Sequence, residues 1–207
     1  ALYVLALTTG LRQGELLGLT WPFIDLNNRA LSVRHNLVEL SGKHFLEEPK
    51  TPTAKRRVDL PANAVLVLRG HRKRMLDEGN LNGWVFCDTQ GGPIRKSNLL
   101  RRSFKPLLKK AGLPPIRFHD LRHTAATLLL AEGVHPKIVQ ERLGHAKISL
   151  TLDTYSHVLP SMQKAAADKI DGLFEELGTE FGCKLAVKSV AQGGGSVGKI
   201  SKVVQLK

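Results

Sequence analysis

A chain of 207 residues, 42% hydrophobic and 24% charged, can bury one full core and has an ordinary soluble composition. Its net charge of +13 and pI near 10.0 are not ordinary, because a folded domain this basic usually meets a polyanion, most often nucleic acid. The bland alternative is a generic solubilising surface.

From Gly178 onward five lysines stand against Glu180, a net +4, so +9 remains on the body and the basic character belongs to the folded part. Cys87 and Cys183 make neither a disulfide framework nor a metal-ligand spacing, which fits a reducing, cytoplasmic compartment. No apolar run approaches the ~18 residues of a membrane span and no signal peptide precedes the body, so no membrane partner is expected. The chain opens without methionine, inside the apolar helical pattern ALYVLALTTG, and reads as a fragment of a longer protein.

In chain order, Ala1 to Thr9 predicts a buried helix end stopped by Gly10. Leu11 to Leu19 predicts a short amphipathic helix with Leu16, Leu17 and Leu19 inward and Arg12 and Glu15 at i,i+3; Trp21-Pro22 ends it. Arg29 to Leu40 alternates as a strand, Ser41-Gly42 signals a hairpin, and Lys43 to Glu48 is the return. Pro49-Lys50-Thr51-Pro52 breaks the pattern, and Arg57 to Leu60 closes a small three-stranded antiparallel sheet.

Ala62 to Glu78 is a helix with Leu66, Val67 and Met75 on its apolar side. Trp84 to Phe86 is extended and Gly91-Gly92-Pro93 turns. Ser97 is expected to cap a helix to Lys110, ended by Gly112 and Pro114-Pro115. Helices follow over Phe118 to Glu132, from His135-Pro136 to Leu143, over Ser149 to His157, and over Pro160 to Leu177. The fold class is α+β and mainly α-helical, with a body over 1–177 and a flexible, basic tail over 178–207. In that tail AQGGGSVGK is Gly-rich, and Lys199 to Lys207 regains a strand-like rhythm. No internal repeat is visible.

The chemistry concentrates between Ile116 and Val158, where His119, Arg122, His145 and Tyr155 follow one another. A phosphodiester carries one negative charge and its pentavalent transition state about two, so preorganised cationic donors around it lower the barrier. Arginine grips two oxygens and keeps its proton, which makes Arg122 one fork and Arg12 a second. His119 and His145 can donate a hydrogen bond or move a proton near neutral pH. Tyr155 can form a stable ester with phosphate, and its phenol, ordinarily at a pKa of ~10, is expected to ionise more readily among those cations. The departing sugar oxygen needs a proton. Lys50, at the turn in Glu-Pro-Lys-Thr-Pro, is the candidate donor, with Lys55 in competition. Each residue alone has a structural reading; the ordered set is the argument.

The motifs TTGLRQGELLGL, PKT followed by RRVDLP, FHDLRHTAAT, ERLGH and TYSHV closely resemble the catalytic domain of tyrosine recombinases, the phage-integrase family, in order from Ala1 to about Leu177. The resemblance implies that Arg12, His119 and Arg122 bind and activate the scissile phosphate and that Lys50 is the general acid toward the leaving 5′ oxygen. It places His145 where the family has histidine or tryptophan, makes Tyr155 the nucleophile, and gives Glu15 and Asp120 supporting places. It implies a 3′-phosphotyrosyl intermediate formed without cofactor or metal, double-stranded DNA as partner, a homo-oligomer (a tetramer) on that DNA, and a bacterial or phage mobile element as source. The family's N-terminal core-binding domain is absent from the sequence, and so is the arm-binding domain some members carry. The tail at Lys199 to Lys207 could add a strand to a neighbouring protomer.

Two other classes compete. His119 and His123 lie at i,i+4 with Asp120 beside the first, a weak echo of a zinc-hydrolase helix that lacks a third ligand at the usual distance. A DNA-binding module without strand transfer fits the charge equally well, but it has no use for Tyr155 beside two histidines and two arginines.

Overall fold

The computed structural model describes residues 1–40, 42–49, 52–80, 82–155 and 166–174. Two compact units divide the chain, Ala1–Lys164 and Ala165–Lys207. Of the second, 166–174 is helical. The rest of the helix expected over Pro160 to Leu177 and the strand-like tail lie outside the described residues, as do Ser41, Lys50 and Thr51.

The first unit opens with helix α1, Leu2–Thr9, whose Leu5, Ala6 and Thr9 are buried. Gly10 ends it at φ 65°, a left-handed conformation that costs glycine little and other residues more, and its N–H returns to the Ala6 carbonyl. That turn delivers Arg12 to the N-cap of α2, Gln13–Leu17, where the Glu15 carboxylate accepts the Arg12 backbone N–H. Leu16 and Leu17 of α2 are fully buried, as expected.

Strands β1 (Ile24–Asp25), β2 (Ala30–Val33), β3 (Asn36–Leu40), β4 (Lys43–Glu47) and β5 (Arg56–Asp59) form two sheets, not one. The three-stranded antiparallel sheet has the order β1-β2-β5, with Leu31 opposite Val58 and both buried. The hairpin β3-β4 is separate, with Leu40 opposite Lys43. The strand read over Arg29 to Leu40 therefore breaks at Arg34-His35, and β1 replaces the hairpin's return as the third strand. The reason lies in β4, whose Lys43, Phe45, Leu46 and Glu47 are exposed. It has no apolar face to lay on a core, so the hairpin stands as a ribbon anchored by the buried Leu37.

Helix α3, Ala62–Asp77, buries Ala64, Val65, Leu68 and Met75. Those four lie on one face at 100° per residue, which puts Leu66 on the opposite side, 70% exposed rather than in the expected apolar stripe. The next helix starts one residue before Ser97, which is not its cap: in α4, Lys96–Asn98, the N-cap position is Arg95, whose side chain makes no capping hydrogen bond. It runs through a π-helical stretch, Leu99–Phe104, into α5, Lys105–Lys110. The wider π turn swings residues five apart toward one side, and both Leu99 and Phe104 are buried.

Helices α6 (Asp120–Ala131), α7 (Pro136–Leu143) and α8 (Ile148–Tyr155) complete the unit. His135 caps α7, with its ring accepting the Lys137 N–H, and Gly144 ends it at φ 70°, both at the expected positions. Two apolar clusters result. The larger joins α1, α2, the three-stranded sheet and α3; the smaller is Ala126, Leu130, Val139, Leu143 and Tyr155. Among the described residues no helix is long and apolar enough to cross a membrane.

The α1–α2 turn is testable. A Cβ on Gly10 would lie 2.6 Å from the Leu143 side chain and would have to adopt positive φ. Gly10→Ala should therefore lower stability by about 1–3 kcal/mol in urea denaturation.

Candidate active site

The last turn of α7 ends in carbonyls that have no partner within the helix and that carry its partial negative charge. Three successive ones each receive an arginine. Arg56 Nε donates to Arg142 O at 2.7 Å, Arg122 Nη2 to Leu143 O at 2.9 Å, and Arg12 Nη2 to Gly144 O at 3.3 Å. Gly144 is glycine for two reasons: its φ is positive, and a Cβ would lie 2.8 Å from Arg56 Nη1. Arg122 Nη1 also donates to the Gly10 carbonyl at 2.7 Å, so its fork bridges the ends of α1 and α7. The Arg142 side chain ties those ends again, Nη2 donating to Thr8 O at 2.8 Å.

Glu15 supplies the matching carboxylate. Its oxygens accept from Arg12 Nη1 at 2.8 Å and from Arg56 Nη2 and Nη1 at 2.9 and 3.2 Å. Burial pushes the Glu15 carboxyl up, but the Arg56 hydrogen bonds and charge, the Arg12 N–H and the Arg12 charge outweigh it and hold it below the usual range. Glu15 is 3% exposed and the Arg12 side chain 41%, so the brace is buried while the fork it aims stays open to a ligand. Arg122, by contrast, is buried. Burial, then the neighbouring Arg12, pushes its guanidinium down to about 9, which leaves it charged at neutral pH.

The histidines and the tyrosine close the other side. His145 follows Gly144 directly and is buried, its Nδ1 2.8 Å from the hydroxyl of buried Thr151. Burial and then the charges of Arg122, Arg12 and Arg56 push it down to about 4, so it is neutral at pH 7 and can serve as a neutral hydrogen-bond donor. His119, at the N-cap of α6, is also lowered, by burial and then by His123 and Arg122. Its ring meets that of His123 edge-on at 4.9 Å, and His123 Nδ1 lies 2.9 Å from the Tyr155 hydroxyl.

Tyr155 corrects one expectation. It is 2% exposed, and burial raises its phenol above the ordinary value despite the opposing charge of Arg122. In this state the cations do not make it ionise more readily, because desolvation outweighs them.

Arg12, Glu15, Arg122 and His145 are thus brought together around the end of α7, and His119 and Tyr155 meet through His123. Asp120 accepts the Arg117 N–H at 2.8 Å and pairs with the Arg117 guanidinium at 2.9 Å, so the brace it gives is to the entry of α6. Lys50 lies outside the described residues; its competitor Lys55 is paired with Glu48. Sequence reasoning missed Arg56 and gave His123 only to the zinc alternative. Arg56 sits within the RRVDLP motif, which was a usable signal, but nothing in the spacing shows that its fork reaches Glu15. Among the described residues no three His, Cys, Asp or Glu side chains converge where a metal could sit, so the zinc reading gains no third ligand.

The model of the phage integrase family matches residues 1–162. A "Tyrosine recombinase XerC-like" protein of Caldanaerobacter subterraneus subsp. tengcongensis is 38% identical, over 84% of this chain and 49% of its own length. The ICEBs1 integrase of Bacillus subtilis is 34% identical, over 83% and 48%. This chain spans about half the length of these relatives. Among solved structures, the Tn1549 transposon integrase in complex with transposon right end DNA superposes with a TM-score of 0.68 at 26% identity, covering 82% of this chain and 57% of that one. The XerA recombinase superposes at 0.63 with 28% identity, over 80% and 57%.

Removing the Glu15 charge leaves Arg56 buried with no carboxylate. Glu15→Gln should cost about 3 kcal/mol at pH 7. Because the folded carboxyl lies below its unfolded value, the contribution it makes is present above the unfolded pKa and is lost as pH falls through the folded one. Urea midpoints at pH 7 and in the acid range should therefore converge between wild type and Glu15→Gln as pH falls.

Proposed function

Because the chain belongs to the phage integrase family, we propose that it binds double-stranded DNA and breaks and rejoins its strands through a phosphotyrosyl ester on Tyr155. The observation that carries this reading is the convergence of two arginine forks, Arg12 and Arg122, with His145 on the last turn of α7, in the same unit as a tyrosine that feels the Arg122 charge.

Arg12 and Arg122 grip the non-bridging oxygens of the scissile phosphate, with His119 and neutral His145 donating further hydrogen bonds as negative charge builds. Both forks are held by fixed carbonyls, so little reorganisation accompanies the reaction. The Tyr155 oxygen attacks phosphorus and the 5′ oxygen leaves with a proton from Lys50. The bond energy is kept in the 3′-phosphotyrosyl ester, and an incoming 5′ hydroxyl reverses the steps. Neither cofactor nor metal has a role in this scheme. Glu15 and Arg56 aim Arg12 without touching the phosphate.

The net charge of +13 supports DNA as the partner, and the solved Tn1549 transposon integrase is in complex with transposon right end DNA. Rejoining to a different strand requires a second site, so the working assembly is a homo-oligomer, a tetramer, on DNA, with Lys199 to Lys207 of the basic tail as the segment that joins protomers. A protein from a mobile element, working on DNA in the cytoplasm, fits the relatives named above.

Nicked duplexes carrying the parent element's ends let a cut fragment diffuse away, so the ester accumulates. A slow-migrating band on a denaturing gel should form with the wild type and vanish with Tyr155→Phe. A DNA complex on a native gel with no covalent band would instead mark a binder without strand transfer. Arg122→Ala should slow band formation by about 10²–10³-fold, the usual loss for one oxyanion-stabilising donor. Affinity for duplex should fall about 10³-fold between 50 and 200 mM salt, as for a protein neutralising roughly six phosphates; a flat dependence would contradict a phosphate-led interface.

A further inference from the structure

Attack by Tyr155 requires its proton to leave, and among the described residues the buried phenol has one ionisable partner in hydrogen-bonding contact, His123 Nδ1 at 2.9 Å. We propose that His123 is the proton acceptor for Tyr155, a catalytic residue in addition to Arg12, His119, Arg122, His145 and Lys50. The proposal rests on the reading of Tyr155 as nucleophile.

The geometry favours His123 over its two neighbours. His145 has its Nδ1 against the Thr151 hydroxyl and lies at the arginine cluster. His119 touches His123 ring to ring at 4.9 Å, one step further from the phenol. His123 follows Arg122 on α6, and its partly buried ring lies 5.8 Å from the Tyr155 ring, centroid to centroid. The Tyr155 ring is itself fixed by Ala126, Leu130, Val139 and Leu143. Both partners are therefore held on packed helices, α6 and α8, and the contact is built into the core. Burial works in the same direction: a phenol raised by desolvation delivers no phenolate at neutral pH without a base in contact.

With His123 as the Nε2–H tautomer, Tyr155 donates its hydroxyl to Nδ1. In the forward step the Tyr155 O–H bond breaks and the proton forms an N–H bond at Nδ1 as the oxygen bonds to phosphorus. The bond from phosphorus to the 5′ oxygen breaks, and that oxygen takes the proton of the general acid. His123 has gained one proton and the acid has lost one. In the return step the 5′ hydroxyl gives its proton back to the acid, and His123 returns its own to the departing Tyr155 oxygen. The transient imidazolium stands near Arg122 and His119, and the added charge on the pentavalent phosphate offsets that repulsion. Among the described residues, the ionisable groups around it are His119, Asp120 and Arg122 on α6 and Tyr155 on α8, whose other ionisable residue is Asp153.

The test uses a nicked duplex of the parent element's end with sulfur replacing the 5′ bridging oxygen at the scissile phosphate, mapped first with the wild type. A thiolate leaves without a proton, so loss of the general acid is rescued and loss of the tyrosine's base is not. Single-turnover ester formation should be about 10²-fold slower in His123→Phe and in His123→Asn, with Lys50→Ala near wild type on the same substrate. The asparagine can hold the hydrogen bond but takes up no proton, so its rate should climb tenfold per pH unit where the wild type has levelled off. Melting temperatures near the wild-type value separate this from misfolding. Restoration by asparagine, or wild-type rates and pH profile in both variants, would overturn the proposal and leave Tyr155 as nucleophile. Absence of any ester with the wild type would instead remove the Tyr155 reading and this one with it. A readout independent of DNA is the ¹⁵N signal of His123, expected as an Nδ1 acceptor in the wild type and released in Tyr155→Phe. An Nδ1–H tautomer in the wild type would contradict the proposal.

Discussion

Three guanidinium groups point at one place because α7 stops there. The carbonyls of Arg142, Leu143 and Gly144 are the unpaired negative end of that helix, and they hold Arg56, Arg122 and Arg12 in register. Like charges packed this closely would repel, and two features make the arrangement tolerable. Glu15 neutralises part of the cluster from inside, and the backbone dipoles neutralise part from α7. On the proposed reading, a doubly charged phosphate transition state would neutralise the rest.

That constraint reaches back into the fold. Gly10 must turn sharply so that α1 ends beside α7, because Arg122 bridges the two. β5 must pair with β2 so that Arg56 enters from the far side of Glu15. The short α2 is an N-cap platform whose buried Leu16 and Leu17 fix the direction of Arg12. The small apolar cluster around Tyr155 does the same for the phenol. Packing and chemistry are not separable here: Leu143 gives its side chain to that cluster and its carbonyl to Arg122.

Much of this was legible in the sequence wherever a local rule sufficed. Gly10, Gly144 and the His135-Pro136 start each announce a helix end or start, and each is found where expected, whereas Arg12, read as part of its helix with Glu15 at i,i+3, stands at the N-cap of α2. The order of Arg12, His119, Arg122, His145 and Tyr155 points to a phosphate-handling site, and the fold brings Arg12, Arg122 and His145 together at the end of α7 and links His119 to Tyr155 through His123. What was illegible depended on partners distant in the chain. A period of two runs through Leu31, Val33, His35 and Leu37, yet nothing local says that the pairing partner changes between Val33 and Asn36. Leu66 looked apolar enough to be inward, but helix phase placed Leu68 there instead. Arg56 looked like one cation among many, since the carboxylate it meets is 41 residues away. The raised phenol of Tyr155 was hidden because charge can be counted from sequence and desolvation cannot.

The central claim is that the end of α7 aims two guanidinium forks at one phosphate. A structure of the Tyr155→Phe protein bound to duplex DNA tests it most directly. The account predicts one backbone phosphate within hydrogen-bonding reach of both Arg12 and Arg122, with the Leu143 and Gly144 carbonyl contacts still in place. A duplex held on the basic surface elsewhere, with that pair unoccupied or their carbonyl contacts broken, would contradict it.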